Sequence, residues 1–186
     1  MRLSQPRITP LSDAEMGPEQ KEALKDFGAD ILNIFRTLVR APKALTRFNA
    51  WGGYVLSRRN DLPMREREIV ILRVGYLCKS GYEFTQHTRI GLQSGLAAAE
   101  IEAIKRGADA GWIPADAVLI RAADELHTDQ FISDSTWNML KQHYTEKQCM
   151  DVVFTVGQYT QVSMMLNTFG VQLDAGQVLD PELKGF

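Results

Sequence analysis

The 186-residue chain reads as an all-α, single-domain protein. Three observations predict this. Apolar residues recur at spacings of three and four through nearly every segment, strand-like alternation is hard to find, and helix punctuation falls at the ends of the periodic segments. At 45% hydrophobic the chain can bury a real core. It has no low-complexity tract and no linker long enough to separate two domains.

Ser12 to Glu15, "SDAE", fits a capping box and predicts a helix from there to about Phe27. The stretch from Ile31 suits a helix to about Val39, a break at Ala41-Pro42, and a second helix through Leu56, because proline does not fit inside a continuous helix. Asp61 is a candidate N-cap, and Pro63 sits near the first turn of a run to about Leu77. That run is apolar nearly all round, so it predicts a buried central helix; its length argues against a buried strand. Ser80 to Ser94 follows, with Gly95 as C-cap. "AAAEIEAIKRG" predicts a short helix stopped by Gly107, and "ADAVLIRAADELHTD" another. Ser133 or Asp134 caps "STWNMLKQHY", and a long apolar helix starts at Glu146. The expected organisation is an extension with a short helix over 1–29, a helical domain over 30–175, and a tail over 176–186.

A net charge of −2 and a pI of about 5.9 carry no basic footprint for nucleic acid. No run of 18 apolar residues predicts a membrane span, and "MRLSQPRITPLSDAEM" lacks the apolar stretch of a signal peptide, so a cytoplasmic protein is expected. Cys78 and Cys149 lie far apart and read as free thiols. The three histidines are scattered and no metal-ligand spacing occurs, so no metal is expected.

Glu68, Glu83 and His87 form the one constellation with chemistry in it. Glu83 and His87 are four apart on one helix face. A turn at Lys79-Ser80-Gly81 would fold this helix back on the one carrying Glu68. A buried carboxylate beside a histidine can move protons near neutral pH. Each residue also has a structural reading. Ser80-x-x-Glu83 fits a capping box, Glu68 sits among first-turn charges that are commonly solvated, His87 fits a hydrogen-bonded core histidine, and Cys78 an inert thiol.

Taken together, "REREIVILRVGYLCKSGYEFTQHTRIG" resembles the core motif of the carboxymuconolactone decarboxylase family, which includes the alkylhydroperoxidase D-like proteins. "NIFRTLVRAPKAL" and "DVVFTVGQYTQVSMMLNTFGVQL" extend the resemblance over roughly residues 30 to 173. It implies an alkylhydroperoxidase D-like helical bundle that assembles as a homo-oligomer, a trimer or a multiple of it. The family's peroxidase branch uses a glutamate, a C-x-x-C pair and a histidine. Aligned on His87, these fall on Glu68, Ser80 with Glu83, and His87, so both redox cysteines are missing. The decarboxylase-like pattern "YEW..H" is matched by Tyr82-Glu83-Phe84-Thr85-Gln86-His87, with phenylalanine for tryptophan.

The resemblance therefore implies a cofactor-independent acid–base enzyme acting on a small carboxylated or carbonyl substrate such as a lactone. Its catalytic residues would be Glu68, Glu83 and His87. Arg36 is the expected anion partner, with a surface or interface salt bridge as its alternative, and Tyr159 and Asn167 are expected to line the pocket from the last helix, with local hydrogen bonding as theirs. Two alternatives stay open: a thiol-dependent hydroperoxidase using Cys78, and a non-catalytic oligomeric binding or stress-response protein. A small molecule is the expected partner, with neither nucleic acid nor membrane.

Overall fold

A computed structural model of the protein describes residues 1–185, which contain nine α-helices and no strand. The helices are α1 (Pro18–Leu24), α2 (Asn33–Leu38), α3 (Pro42–Leu56), α4 (Met64–Leu77), α5 (Gly81–Gln93), α6 (Ala98–Arg106), α7 (Pro114–Asp129), α8 (Asp134–His143) and α9 (Glu146–Phe169). A 3-10 turn at Pro181–Leu183 follows. None of the helices is long and apolar enough to cross a membrane.

The core is built around α4, which packs against α5, α6, α7 and α9. Every residue from Arg67 to Gly75 is buried, as expected of a helix that is apolar nearly all round. Its three charged residues in this stretch each have partners. Arg67 donates to the Ser57 carbonyl at 3.1 Å. Arg73 pairs with Asp124 at 2.6 Å and donates to the carbonyls of Ile104 and Lys105 at 2.8 and 2.9 Å, closing the C-terminal end of α6. Glu68 is paired across to α5, as described below.

Two glycines let α4 and α5 approach closely. A Cβ on Gly75 would lie 3.4 Å from Glu83 Cγ, and one on Gly91 would lie 3.0 Å from Leu96 Cδ1 and 3.2 Å from Leu72 Cδ1. The connection is tight. The amide of Ser80 donates to the Gly75 carbonyl at 2.9 Å across Lys79, which is held in the left-handed region at φ 53°. The predicted helical hairpin is therefore formed.

The first predicted helix differs. Ser12 donates to the Glu15 carboxylate through both its N–H (2.8 Å) and its hydroxyl (2.6 Å), but this pair closes a turn and α1 starts only at Pro18. The residue before a proline disfavours helical backbone, so Gly17-Pro18 separates turn from helix. Asp61 does not cap α4 either. Its N–H donates to Asp151 Oδ2 at 2.8 Å, and Pro63 occupies the N-cap.

The segment after α9 is bound to the bundle. Asp174 accepts from the Asn33 amide at 2.8 Å and from the Tyr82 hydroxyl at 2.6 Å. Leu183 is buried in the main core.

Replacing Gly91 by valine should destabilise the protein by roughly 1–3 kcal/mol, since the added carbons meet Leu72 and Leu96. Gly157→Ala on α9, where nothing lies within 4 Å, should stabilise it by about 0.5–1 kcal/mol. Urea unfolding followed by circular dichroism measures both.

Candidate active site

The α4–α5 hairpin brings Glu68, Glu83 and His87 together. His87 Nδ1–H donates to Glu68 Oε2 at 2.7 Å, and Nε2–H donates to Glu83 Oε1 at 3.0 Å. Glu68, at 1% exposure, lies behind the imidazole, whereas Glu83 and His87 face a cavity of about 260 Å³. The capping-box alternative for Glu83 is not realised. Ser80 is the N-cap of α5 but makes no side-chain cap, and its buried hydroxyl has no partner.

Burial works against charge on His87, but the Glu68 carboxylate and then Glu83 outweigh it and push the imidazole up to about 10. At neutral pH the ring is an imidazolium whose two N–H groups serve two carboxylates. Tyr159 covers it edge-on, with ring centroids 4.9 Å apart and planes at 85°. Burial and the nearby Glu83 and Glu68 carboxylates raise the Tyr159 phenol well above its ordinary value, so it stays protonated.

The cavity walls come mostly from α2 and α3, with Ile34, Phe35, Phe48 and Leu56 apolar and Gly52 and Gly53 leaving space. The floor is the α5 face carrying Tyr82, Glu83 and Gln86. Asp174 holds that face from outside, accepting from Gln86 Nε2 at 2.7 Å as well as from Tyr82. Besides the His87 imidazolium, one cation lines the cavity among the described residues, the exposed Arg89.

Two expected pocket residues lie elsewhere. Arg36 donates to the carbonyls of Ile31 (3.2 Å) and Leu11 (3.1 Å) and pairs with Asp13 at 2.7 Å, so it fastens the N-terminal segment to α2. It sits two residues from the cavity-lining Ile34, on nearly the opposite side of the helix. Asn167 donates to the Cys78 carbonyl at 2.9 Å and lines a separate groove. It lies two turns beyond Tyr159 on α9, roughly 12 Å along the axis.

Cys78 opens onto that same separate groove, beside Arg2, His127 and Met164, with its Sγ 3.7 Å from His127 Nδ1. Burial raises its thiol. Cys149 is enclosed in the core, and burial raises it too. Among the described residues no thiol lines the cavity that holds His87. The described residues include no cluster of three or more His, Cys, Asp or Glu able to hold a metal.

Sequence reasoning missed Arg89, Gln158 and the Asp174–Tyr82–Gln86 network. Arg89 lies three residues after Gln86 and seven after Tyr82, on one face of α5 with both, and was open to a face argument; Asp174 is brought in only by tertiary folding.

Residues 42–125 match the family model described as the carboxymuconolactone decarboxylase family. No curated protein matches the chain. Among solved structures, the chain resembles an alkylhydroperoxidase AhpD core, an uncharacterized peroxidase-related protein from Ralstonia eutropha JMP134, with TM-score 0.79 and 16% identity, covering 91% of this chain and 93% of that one. A peroxidase-related protein from Silicibacter sp. TM1040 gives TM-score 0.71 and 16% identity over 99% and 94%. The debrominase Bmp8 in complex with 2,3,4-tribromopyrrole gives 0.71 and 12% over 92% and 94%. These likenesses establish a shared fold.

Because the folded value of His87 lies above its ordinary 6.5, its contribution to stability is complete below pH 6.5 and is lost as pH rises toward 10. The unfolding free energy of the wild type should therefore decline across that window. The decline should shrink in the Glu68→Gln/Glu83→Gln double variant, where no carboxylate favours the imidazolium. Urea titrations at pH 6.5, 8 and 9.5 make the comparison.

Proposed function

We propose that the chain, which matches the carboxymuconolactone decarboxylase family model over residues 42–125 and shares its fold with an AhpD-like protein, is a cofactor-independent acid–base enzyme. Its substrate would be a small carbonyl or carboxylated compound such as a lactone. The observation that carries this reading is the contact of His87 Nε2 with Glu83 inside an apolar cavity that no thiol lines.

The roles follow from the geometry. Glu68 lies on the closed side of the imidazole and fixes its orientation through Nδ1. Glu83 lies on the cavity side, so a proton held on Nε2 reaches substrate by way of the Glu83 carboxylate. In a decarboxylation, the C–C bond to the departing carbon dioxide breaks and its electron pair passes into an enolate. The His87–Glu83 pair protonates the enolate carbon and recovers a proton from solvent. Arg89 replaces Arg36 as the cation placed to meet a substrate carboxylate. Apolar walls keep the reacting charges in a low-dielectric space, where each proton-transfer interaction is stronger than in water.

A thiol route at Cys78 would have to run in a different groove, without a neighbouring resolving cysteine and with a thiol that burial keeps protonated.

The test is a panel of carboxylated lactones and β-keto acids, with carbon dioxide release and solvent-deuterium incorporation followed by NMR. His87→Ala and Glu83→Gln should each lose roughly 10²-fold or more in turnover, with Cys78→Ser unchanged. A near-normal rate in His87→Ala would remove the pair from the mechanism. Peroxide consumption with a dithiol that vanishes in Cys78→Ser would replace this reading with the thiol one.

A further inference from the structure

We propose that the substrate of this cavity is elongated, with a carbonyl head at Glu83 and His87 and an apolar chain that passes Gln158 into the groove between α3 and α9. The inference rests on the acid–base reading of the site and adds the shape and polarity of the molecule that fills it.

The groove encloses about 530 Å³, twice the catalytic cavity. Its lining is mainly apolar, from Leu38, Leu45 and Trp51 on one side and Met165 and Phe169 on the other. Arg47 and Gln161 also contribute to it. Such a lining offers an alkyl chain or ring burial and offers a charged group little.

The two spaces are neighbours. Phe48 and Gln158 line both, so these two side chains form the wall between them. Gln158 is an unusual wall residue. It is 4% exposed, yet its amide oxygen has no hydrogen-bond partner. A buried amide left unpaired carries a cost that a ligand can relieve. A hydroxyl at the junction of head and tail would donate to this oxygen on its way through the wall. Gly52 keeps the place open, because a Cβ there would lie 3.2 Å from Gln158 Nε2. The apolar groove thus adjoins the catalytic cavity across the Phe48–Gln158 wall, with an unpaired amide oxygen at the join.

The experiment is isothermal titration of the full chain with neutral γ-lactones carrying n-alkyl chains, from γ-butyrolactone to γ-dodecalactone. The expected result is a Kd that falls with chain length by up to about fourfold per buried methylene (about 0.8 kcal/mol), levelling off once the groove is full. Ala44→Trp and Ala41→Trp each place an indole in the groove from an exposed position and should reduce the gain to about twofold or less over the whole series. Circular dichroism identifies the variant that remains folded.

A series flat in chain length, with the short lactone still binding, overturns the tail and leaves the acid–base reading standing. Absence of binding by every lactone overturns both the tail and the lactone head. A full gain retained in the folded groove-filling variant places the tail elsewhere and overturns the proposal. A flat series together with a lower assembly mass for the variant on size exclusion assigns the groove to a second copy of the chain, which also overturns it.

Discussion

Everything at the site depends on one arrangement, a histidine held between two carboxylates in the closest part of the helical bundle. Neither Glu68 nor Glu83 is easily buried alone, because an isolated carboxylate loses its hydration without compensation. An imidazolium between them answers both at once, through two hydrogen bonds of 2.7 and 3.0 Å. The arrangement needs α4 and α5 to run close together, and Gly75 and Gly91 supply that closeness by omitting the carbons that would hold the helices apart. It also needs α4 to be fixed in rotation. Arg67 and Arg73 help to do this, each bonding to a neighbouring element in a direction of its own. The packing of the core and the protonation of the site are in this sense one problem with one solution.

Much of this was legible from residue order, for identifiable reasons. The α4–α5 hairpin announces itself because a run apolar on all sides, a short polar turn and a glutamate four residues before a histidine are local patterns. The limits of α3 were legible because Pro42 admits only one reading. What failed, failed where distant segments decide. The Ser12–Glu15 pair forms as expected, but a proline three residues later ends its influence. Arg36 looked like an anion-binding arginine next to cavity-lining residues, yet helical rotation turns it toward the N-terminal segment and its carbonyls. Asn167 shares a helix with Tyr159 but stands two turns away from the cavity. The Glu83 cap and the Glu83–His87 pair were equally good local readings, and only the tertiary position of the imidazole separates them.

The cavity is asymmetric in origin. Its chemistry comes from α4 and α5 in the middle of the chain, within the residues that match the family model. Its opposite wall comes from α2, which precedes those residues, and from α3, which lies within them, and its last restraint from Asp174, beyond the final long helix. The charged triad and most of the apolar wall are thus carried by different helices, so the shape can change while the triad stays.

Asp174 has a consequence for the order of events during folding. Its carboxylate joins the start of α2 to the face of α5, closing loops of 141 and 92 residues in a single side chain. The α4–α5 hairpin closes over a few residues and can form early. Contacts between residues so far apart in sequence bear the entropy of ordering the intervening chain and form late. The Glu68–His87–Glu83 triad can therefore be present before the cavity beside it is closed. In a partly folded molecule the charged triad would stand ahead of its enclosure, and docking of the final segment is the step that gives it a defined surrounding.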